Sequence, residues 1–551
     1  MSSQGVKVVL ILLSLSFSAG ALSTTTMGTF YPTIPVSILI ALVGTLVFVR
    51  QPSEREFSVL LVGLVTFGVL IRTIIVLDTV SLIGLDPDKY AIQIQRVLDA
   101  NTTEAITFDF YDKAALFIVS GAVAKLVMAT GLTDTMAVFA FQLFIPVSLF
   151  TVLIARLSPI SPNRSALIGL VTISGATLTL RYSYWPLAQL LAIPFWAIFI
   201  YGIHQRLKTG SSRWSLIMLV SLAGLFTTHK IALLTPLVVL LAYHGIIYFR
   251  RWFPRVEKID APSPDLVVIT LLVGGFTFLQ WIFLANYFDV IINRVGIALT
   301  AGEIGSPPVA EPTAAVPALS GITGFLVERA HGLVLVGYAL VAGLVLCQDR
   351  SAVTNVLLGA AAAVAGLLAI GTVAPGPLAP LRVLFFGEIV LISLIAISVG
   401  KLEFSKPYIQ HLTPVIIGVL LVSQLFVVPA MPDNPNGKRD YLTSQELSAQ
   451  DFGHEYTDGT IYADYILADE IGRPSEYASR SNQKFAHDSD GYLNAMLLSS
   501  NPKYVLYRSI DIYWVPRYGS YRLTWDPSHE LNSSYCAVYD SKPRLYVNCT
   551  T

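Results

Sequence analysis

The chain has 551 residues, of which 54% are hydrophobic and only 13% charged, with a mean hydropathy of +0.64. A soluble domain carries about 25% charged residues, so about half of the charge that a water-facing surface needs is missing. The 36 basic and 36 acidic residues balance, which leaves no basic excess to hold a nucleic acid. Apolar runs long enough to cross about 30 Å of hydrocarbon recur along the chain, the pattern of a polytopic helical membrane protein.

The first run, 6–22, carries a single Lys7 and ends in Ser-Ala-Gly-Ala. That pattern fits a first span and also a signal peptide, and we count it as a span. Further spans are expected near 34–50, 58–77, 136–156, 165–180, 185–204, 214–229, 231–249, 266–287, 330–347, 354–374, 382–400 and 413–430. Lysine and arginine in short connections mark the cytoplasmic side, and the basic connections are 50–56, 156–164, 204–213, 250–258, 348–350 and 401–406. All of them reach one side only if 114–131, which carries Lys125 in mid-run, does not cross. We read it as an amphipathic helix lying in the outer interface.

The expected fold is therefore an all-α polytopic bundle of about 13 spans over 1–430, with its amino terminus inside. Outside lie the loop 78–113, the loop 288–328 and a polar tail, 431–551, long enough for a small α/β domain. The loop 288–328 is rich in Ala, Pro and Gly and is expected to be mobile until something binds. The tail has strand-like runs at 460–465 and 504–507, and a hairpin is expected around Ser541-Lys542-Pro543. Cys536 and Cys549 can pair if the tail meets an oxidising exterior. Sequons at Asn101, Asn532 and Asn548 fall outside in this topology, and one at Asn163 falls inside.

Carboxylates concentrate first in the loop 78–113: Asp78, Asp86, Asp88, Asp99, Glu104, Asp109 and Asp112. Asp86 is pinned by Pro87 directly after a span. Lys113, Arg181, His229 with Lys230, Arg382 and Glu388 come from other spans, yet the topology brings them to the same outer face. Charge at the ends of spans marks function or pairing. A carboxylate can take the proton of an attacking hydroxyl, while cations can stabilise a departing phosphate. The set suits transfer of a sugar from a polyprenyl phosphate, a lipid that requires a site at the bilayer edge. No metal-ligand motif accompanies it, no cofactor is called for, and a divalent cation is left open.

Each group has a structural reading beside this one. Asp86 fits as the cap of a helix begun by Pro87, and Asp88 sits where a first turn favours negative charge. Lys113 and Arg382 fit as headgroup anchors, Arg181 beside Trp185 as an interfacial anchor, His229-Lys230 as an ordinary turn, and Glu388 as a packing partner. A transporter or lipid-linked sugar flippase is the competing class, and it calls for repeated halves with charges at the midplane.

Gly84-Leu85-Asp86-Pro87, followed by Tyr90 and Arg96, resembles the first outer loop of the GT-C glycosyltransferases, in which a comparable element supplies the catalytic aspartate. Tyr111-Asp112-Lys113 resembles the entry to that family's juxtamembrane helix. Tyr184-Trp185-Pro186-Leu187 resembles the start of a later span, with Leu187 and Gln189 in place of the family's acid. Thr228-His229-Lys230 and Pro380-Leu381-Arg382 are similar to motifs of archaeal members. No WWDxG motif of the oligosaccharyltransferases occurs. The resemblance implies transfer of one sugar, mannose by family frequency, from dolichyl phosphate to a glycan or glycoprotein. It implies an enzyme in the cell membrane that acts on the outer face and completes an N-linked glycan of a surface-layer glycoprotein. Asp86 and Asp88 would be catalytic, with Lys113, Arg382, Arg181, His229, Lys230 and Glu388 binding substrate or lipid phosphate.

Overall fold

The computed structural model describes residues 2–22, 33–77, 79–84, 86–106, 114–136, 144–158, 161–176, 187–229, 231–252, 264–284, 292, 313–317, 321–347, 352–373, 380–426, 441–469, 485–495, 502–510, 512–515 and 519–549. A helix occupies each apolar run. In chain order these are α1 (Ser2–Leu22), α2 (Thr33–Phe48), α3 (Glu54–Leu77), α4 (Pro87–Ala100), α5 (Ala115–Met128), α6 (Phe144–Arg156), α7 (Pro162–Ser174) and α8 (Ala188–Thr209). There follow α9 (Arg213–Thr228), α10 (Leu234–Trp252), α11 (Pro264–Leu279), α12 (Gly321–Leu346), α13 (Ala352–Val373), α14 (Pro380–Ser405) and α15 (Ile409–Leu425). Among the described residues, five segments are long and apolar enough to cross a membrane by length and composition: Gln4–Leu22, Glu54–Ile74, Ala188–Thr209, Asp265–Phe283 and Val383–Ser405. The outer surface of the bundle carries side chains such as Leu271, 71% exposed, and Leu344, 73% exposed. Lipid accepts such a coat and water does not. The chain is a membrane protein.

A helix that is apolar on all sides must be buried on all sides, and α14 is that helix. Its residues 383–400 are all buried, packed chiefly against α13, α12, α7 and α6. Side chains distinguish the two ends of the bundle around it. At one end Arg164, which opens α7 and is 3% exposed, donates to both carboxylate oxygens of Glu403 at 2.9 and 3.0 Å. Its third bond goes to the carbonyl of Val49, at the end of α2, at 2.6 Å. Nearby, Arg156 pairs with Glu54 at 2.7 Å and Asn163 donates to the carbonyl of Pro52. Arg206 near the end of α8 pairs with Asp265 at the start of α11. The connections 50–56, 156–164, 204–213 and 401–406 thus gather at one end, as their basic residues require. Most of 250–258, and 348–350, lie outside the described residues.

Helices α3 and α6 run antiparallel. Glu54 meets Arg156 at one end, and near the other the Arg72 guanidinium lies 3.6 Å over the Phe144 ring. The chain therefore leaves α3 and re-enters at α6 on the same side, and 78–143 makes no net crossing. Within it, α5 has 14 residues, about 21 Å of helix against about 30 Å of hydrocarbon. It buries Phe117, Ile118, Gly121 and Ala122 and exposes Val123, Leu126 and Val127. Gly121 allows the close approach of α4, since a Cβ there would fall 2.4 Å from Ile94.

The tail folds around a five-stranded mixed sheet. Its strands are β2 (Ile461–Ala463), β3 (Phe485–His487), β4 (Tyr504–Tyr507), β7 (Tyr535–Asp540) and β8 (Arg544–Asn548), in the order β3-β2-β4-β8-β7. The pairs β2–β3 and β2–β4 are parallel, and β4–β8 and β7–β8 are antiparallel. The expected hairpin around Lys542-Pro543 is β7–β8, and the Cys536–Cys549 disulfide joins its outer ends. The helix Ser444–Tyr456 opens with a Thr443/Glu446 capping box. Glu446 and Asp464 together hold Arg508, 4% exposed, with bonds of 2.7 Å to both Asp464 oxygens and 3.3 Å to Glu446.

One expectation is corrected. The loop 288–328 is expected to be mobile until something binds, but within it Ala315–Pro317 forms a strand, β1, paired with the tail of the same chain. It pairs antiparallel with β6 (Gly519–Leu523), which also pairs with β5 (Tyr513–Val515). The amide of Ala314 donates to Leu493, and that of Thr524 to Ala314. Backbone groups in a Pro- and Ala-rich stretch need partners, and the tail supplies them.

Arg164→Ala leaves the Glu403 carboxylate buried without its cation, a loss of about 3–5 kcal/mol. Denaturation of the detergent-solubilised protein should register it as a large drop in stability. Arg164→Met combined with Glu403→Leu should recover most of the loss.

Candidate functional site

The start of α4 is dictated locally. Gly84 has φ +109°, a region that a side chain resists, and Pro87 supplies the fixed φ of a first helical residue. Asp86 lands at the capping position, but its backbone is already helical (φ −90°, ψ −26°) and its side chain makes no capping hydrogen bond. The cap reading of Asp86 is thereby corrected: the turn is set by Gly84 and Pro87, and the Asp86 carboxylate is exposed. Asp88, two residues on, is 1% exposed. One turn of helix thus presents a carboxylate to the open side and another inward. Behind them Tyr90 meets Phe117 of α5 edge-on, with ring centroids 5.1 Å apart.

This turn is also tied to the tail. The Ser81 hydroxyl accepts from the amide of Leu442 at 2.8 Å and donates to its carbonyl at 3.3 Å. The segment leading to Asp86 and the entrance of the tail domain are joined at the end of the bundle opposite the ion pairs.

A second polar group sits at that end, where α9 stops. His229 is 8% exposed, and its Nδ1 accepts from the amide of Ile231 at 3.3 Å. With Nδ1 as the acceptor, the proton of the neutral ring is on Nε2. Gln189, in the first turn of α8, brings its side-chain amide to 3.2 Å from the His229 Nε2. The position where the resemblance expects an acid therefore holds an amide against the His229 ring.

Glu388 is 1% exposed and lies eight residues into α14, about 12 Å along the helix from its start. Trp196 of α8 donates to the carbonyl of Phe386 at 2.8 Å, which binds α8 to α14 just ahead of it. Arg382 is in the first turn of α14, but its side chain is not among those described. Lys113, Arg181 and Lys230, with Asp109, Asp112 and Trp185, lie outside the described residues. Asp86 and Asp88 come together on one turn, and His229 meets Gln189. Glu388 stands deeper, on the central helix.

Two residues were passed over in reading the sequence. Gln189 was noted only as a missing acid. Arg72 was counted within a span, although a lone arginine in Phe67–Leu77 was itself a signal. It is fully buried, donates to the carbonyl of Gly68 at 2.8 Å and lies over the Phe144 ring, a cation–π contact in a dry setting.

No protein-family model matches the chain, and no curated protein does. Among solved structures, the chain is similar to ArnT from Cupriavidus metallidurans bound to undecaprenyl phosphate, with 10% identity and a TM-score of 0.49. That match covers 91% of this chain and 99% of the other. A second similarity is to the arabinofuranosyltransferase AftD from Mycobacteria, with 11% identity and a TM-score of 0.44. It covers 91% of this chain and 40% of AftD.

The Gln189–His229 contact should show as coupling. Gln189→Ala and His229→Ala, alone and together, should be non-additive in stability by about 1 kcal/mol, measured by denaturation of the detergent-solubilised protein. Strict additivity would mean that the two side chains do not hold each other.

Proposed function

We propose that the protein is a GT-C-type membrane glycosyltransferase that moves one sugar from a lipid-phosphate carrier to a glycan or glycoprotein acceptor. The observation that carries this reading is the exposed carboxylate of Asp86 beside the buried Asp88, at the end of the bundle where the tail attaches. In the reaction, an acceptor hydroxyl attacks the anomeric carbon of the sugar. The bond from that carbon to the phosphate oxygen breaks and the lipid phosphate departs with its electron pair, while the Asp86 carboxylate takes the hydroxyl proton. Asp88, inward on the same turn, orients the acceptor. Lys113, Arg382, Arg181 and Lys230 supply positive charge to the departing phosphate. His229, held by Gln189, lines the site, and Glu388 positions a cation from the central helix.

The site opens on the outer face of the cell membrane, with the tail domain beside it, about 13 helices crossing and α5 lying flat in the outer interface. The donor is a dolichyl-phosphate sugar, most simply mannose, and the reaction completes an N-linked glycan on a surface glycoprotein. These finer assignments rest on the resemblance of Gly84–Pro87, Thr228–Lys230 and Pro380–Arg382 to that family.

Asp86→Asn keeps the size of the side chain and removes the base, so transfer should fall about 10²–10⁴-fold with normal protein levels. Asp88→Asn should cost less. The assay is transfer from a lipid-phosphate sugar in membranes carrying each variant; near-normal transfer by Asp86→Asn would remove the base from this position. Lys113→Ala and Arg382→Ala should act through donor saturation, with acceptor saturation little changed.

A further inference from the structure

The tail contains a cleft that the transfer reaction does not use. It encloses about 500 Å³, within the range of about 300–1,000 Å³ typical of small-ligand sites. Tyr507 and Tyr513, 7% and 4% exposed, form its floor, Trp525 is one wall, and Ser509, Arg522 and Asp526 stand at the rim.

The lining is held in place from behind. The indole N–H of Trp525 donates to the carbonyl of Tyr492 at 3.0 Å, and the Tyr513 hydroxyl donates to the carbonyl of Arg508 at 3.0 Å. Tyr492 stacks on Tyr513, with centroids 5.4 Å apart. Arg508, directly after the floor strand β4, is the guanidinium locked by Asp464 and Glu446. Asp526 accepts from the amide of Ser528 at 2.9 Å and from the Tyr507 hydroxyl at 3.4 Å. These bonds, the first above all, hold its carboxyl below the usual range, so it is ionised at neutral and mildly acidic pH. The Arg522 side chain is exposed and has no ion-pair partner among the described residues.

The class of ligand follows from this combination. A nucleotide or phospholipid headgroup calls for several cations around phosphate, and among the described residues the cleft has one arginine opposed by one carboxylate. A pyranose ring presents an apolar C–H face and a rim of hydroxyls that both donate and accept. Aromatic walls take the face, and a carboxylate with a guanidinium takes the hydroxyls. We propose that this cleft is a saccharide-binding site, which holds a sugar unit of a glycan while another part of that glycan, or a different one, reaches the membrane end of the protein.

The test uses the full-length protein in detergent, applied to an array of neutral, amino-sugar and uronic-acid oligosaccharides of two to four units. A subset should be captured. Ser509→Trp fills the cleft from its exposed rim and should weaken capture about tenfold or more, and Asp526→Asn, which can still cap the following helix, should weaken it about fivefold. Both variants should melt as the wild type does. Asp86→Asn should bind the array normally, which separates this site from the transfer site. Capture of no oligosaccharide, or capture undiminished by Ser509→Trp, would overturn the proposal.

Discussion

The central helix α14 is buried on every side through residues 383–400, and that constraint orders the rest of the molecule. A helix in this position can carry a charge only where a partner is brought to it. Glu403, in its last turns, is matched by Arg164, and Arg164 in turn holds the end of α2. One buried ion pair therefore locks three helices at one end of the bundle. With Arg156–Glu54 and Arg206–Asp265, three arginines at that end are held in ion pairs between helices.

The opposite end is built differently. Short polar segments there are held by backbone and side-chain bonds to one another: Ser81 to Leu442, Gln189 to His229, and Gln280 to the carbonyl of Phe226. The strand Ala315–Pro317 adds a long inter-helical loop to the tail domain. Between these ties the turn at Asp86 is fixed by Gly84 and Pro87 and leaves the carboxylate outside the helix-capping network.

How much of this was legible in the sequence depended on the range over which each feature is encoded. Apolar length and the placement of lysine and arginine are local, and they gave the helices, the return of the chain from α3 to α6 on one side, and the short α5. The β7–β8 hairpin was legible because its turn residues lie beside its strands. Contacts between distant segments were not legible: Ser81 and Leu442 are 361 positions apart, and no local pattern announces that pair. The strand in the loop 288–328 was hidden for the same reason, since its Ala-Val-Pro acquires strand geometry only from β6. For the site, Asp86-Pro87 was visible but its role as a cap was not decided by composition. Gly84 with its positive φ decides it. Arg72 was masked by its surroundings, because its partner Phe144 comes from another helix.

The account stands on the exposure of position 86 to the exterior. The direct measurement is labelling of an Asp86→Cys variant in intact cells with a membrane-impermeant maleimide. Cys347 is replaced by serine in that variant, and Cys536 and Cys549 remain in their disulfide. The account predicts labelling at position 86 as strong as at Ser520→Cys in the tail, with none at Ser53→Cys beside the Arg156–Glu54 pair. Labelling at position 53 with protection at 86 and 520 would place the carboxylates on the cytoplasmic side and contradict the account.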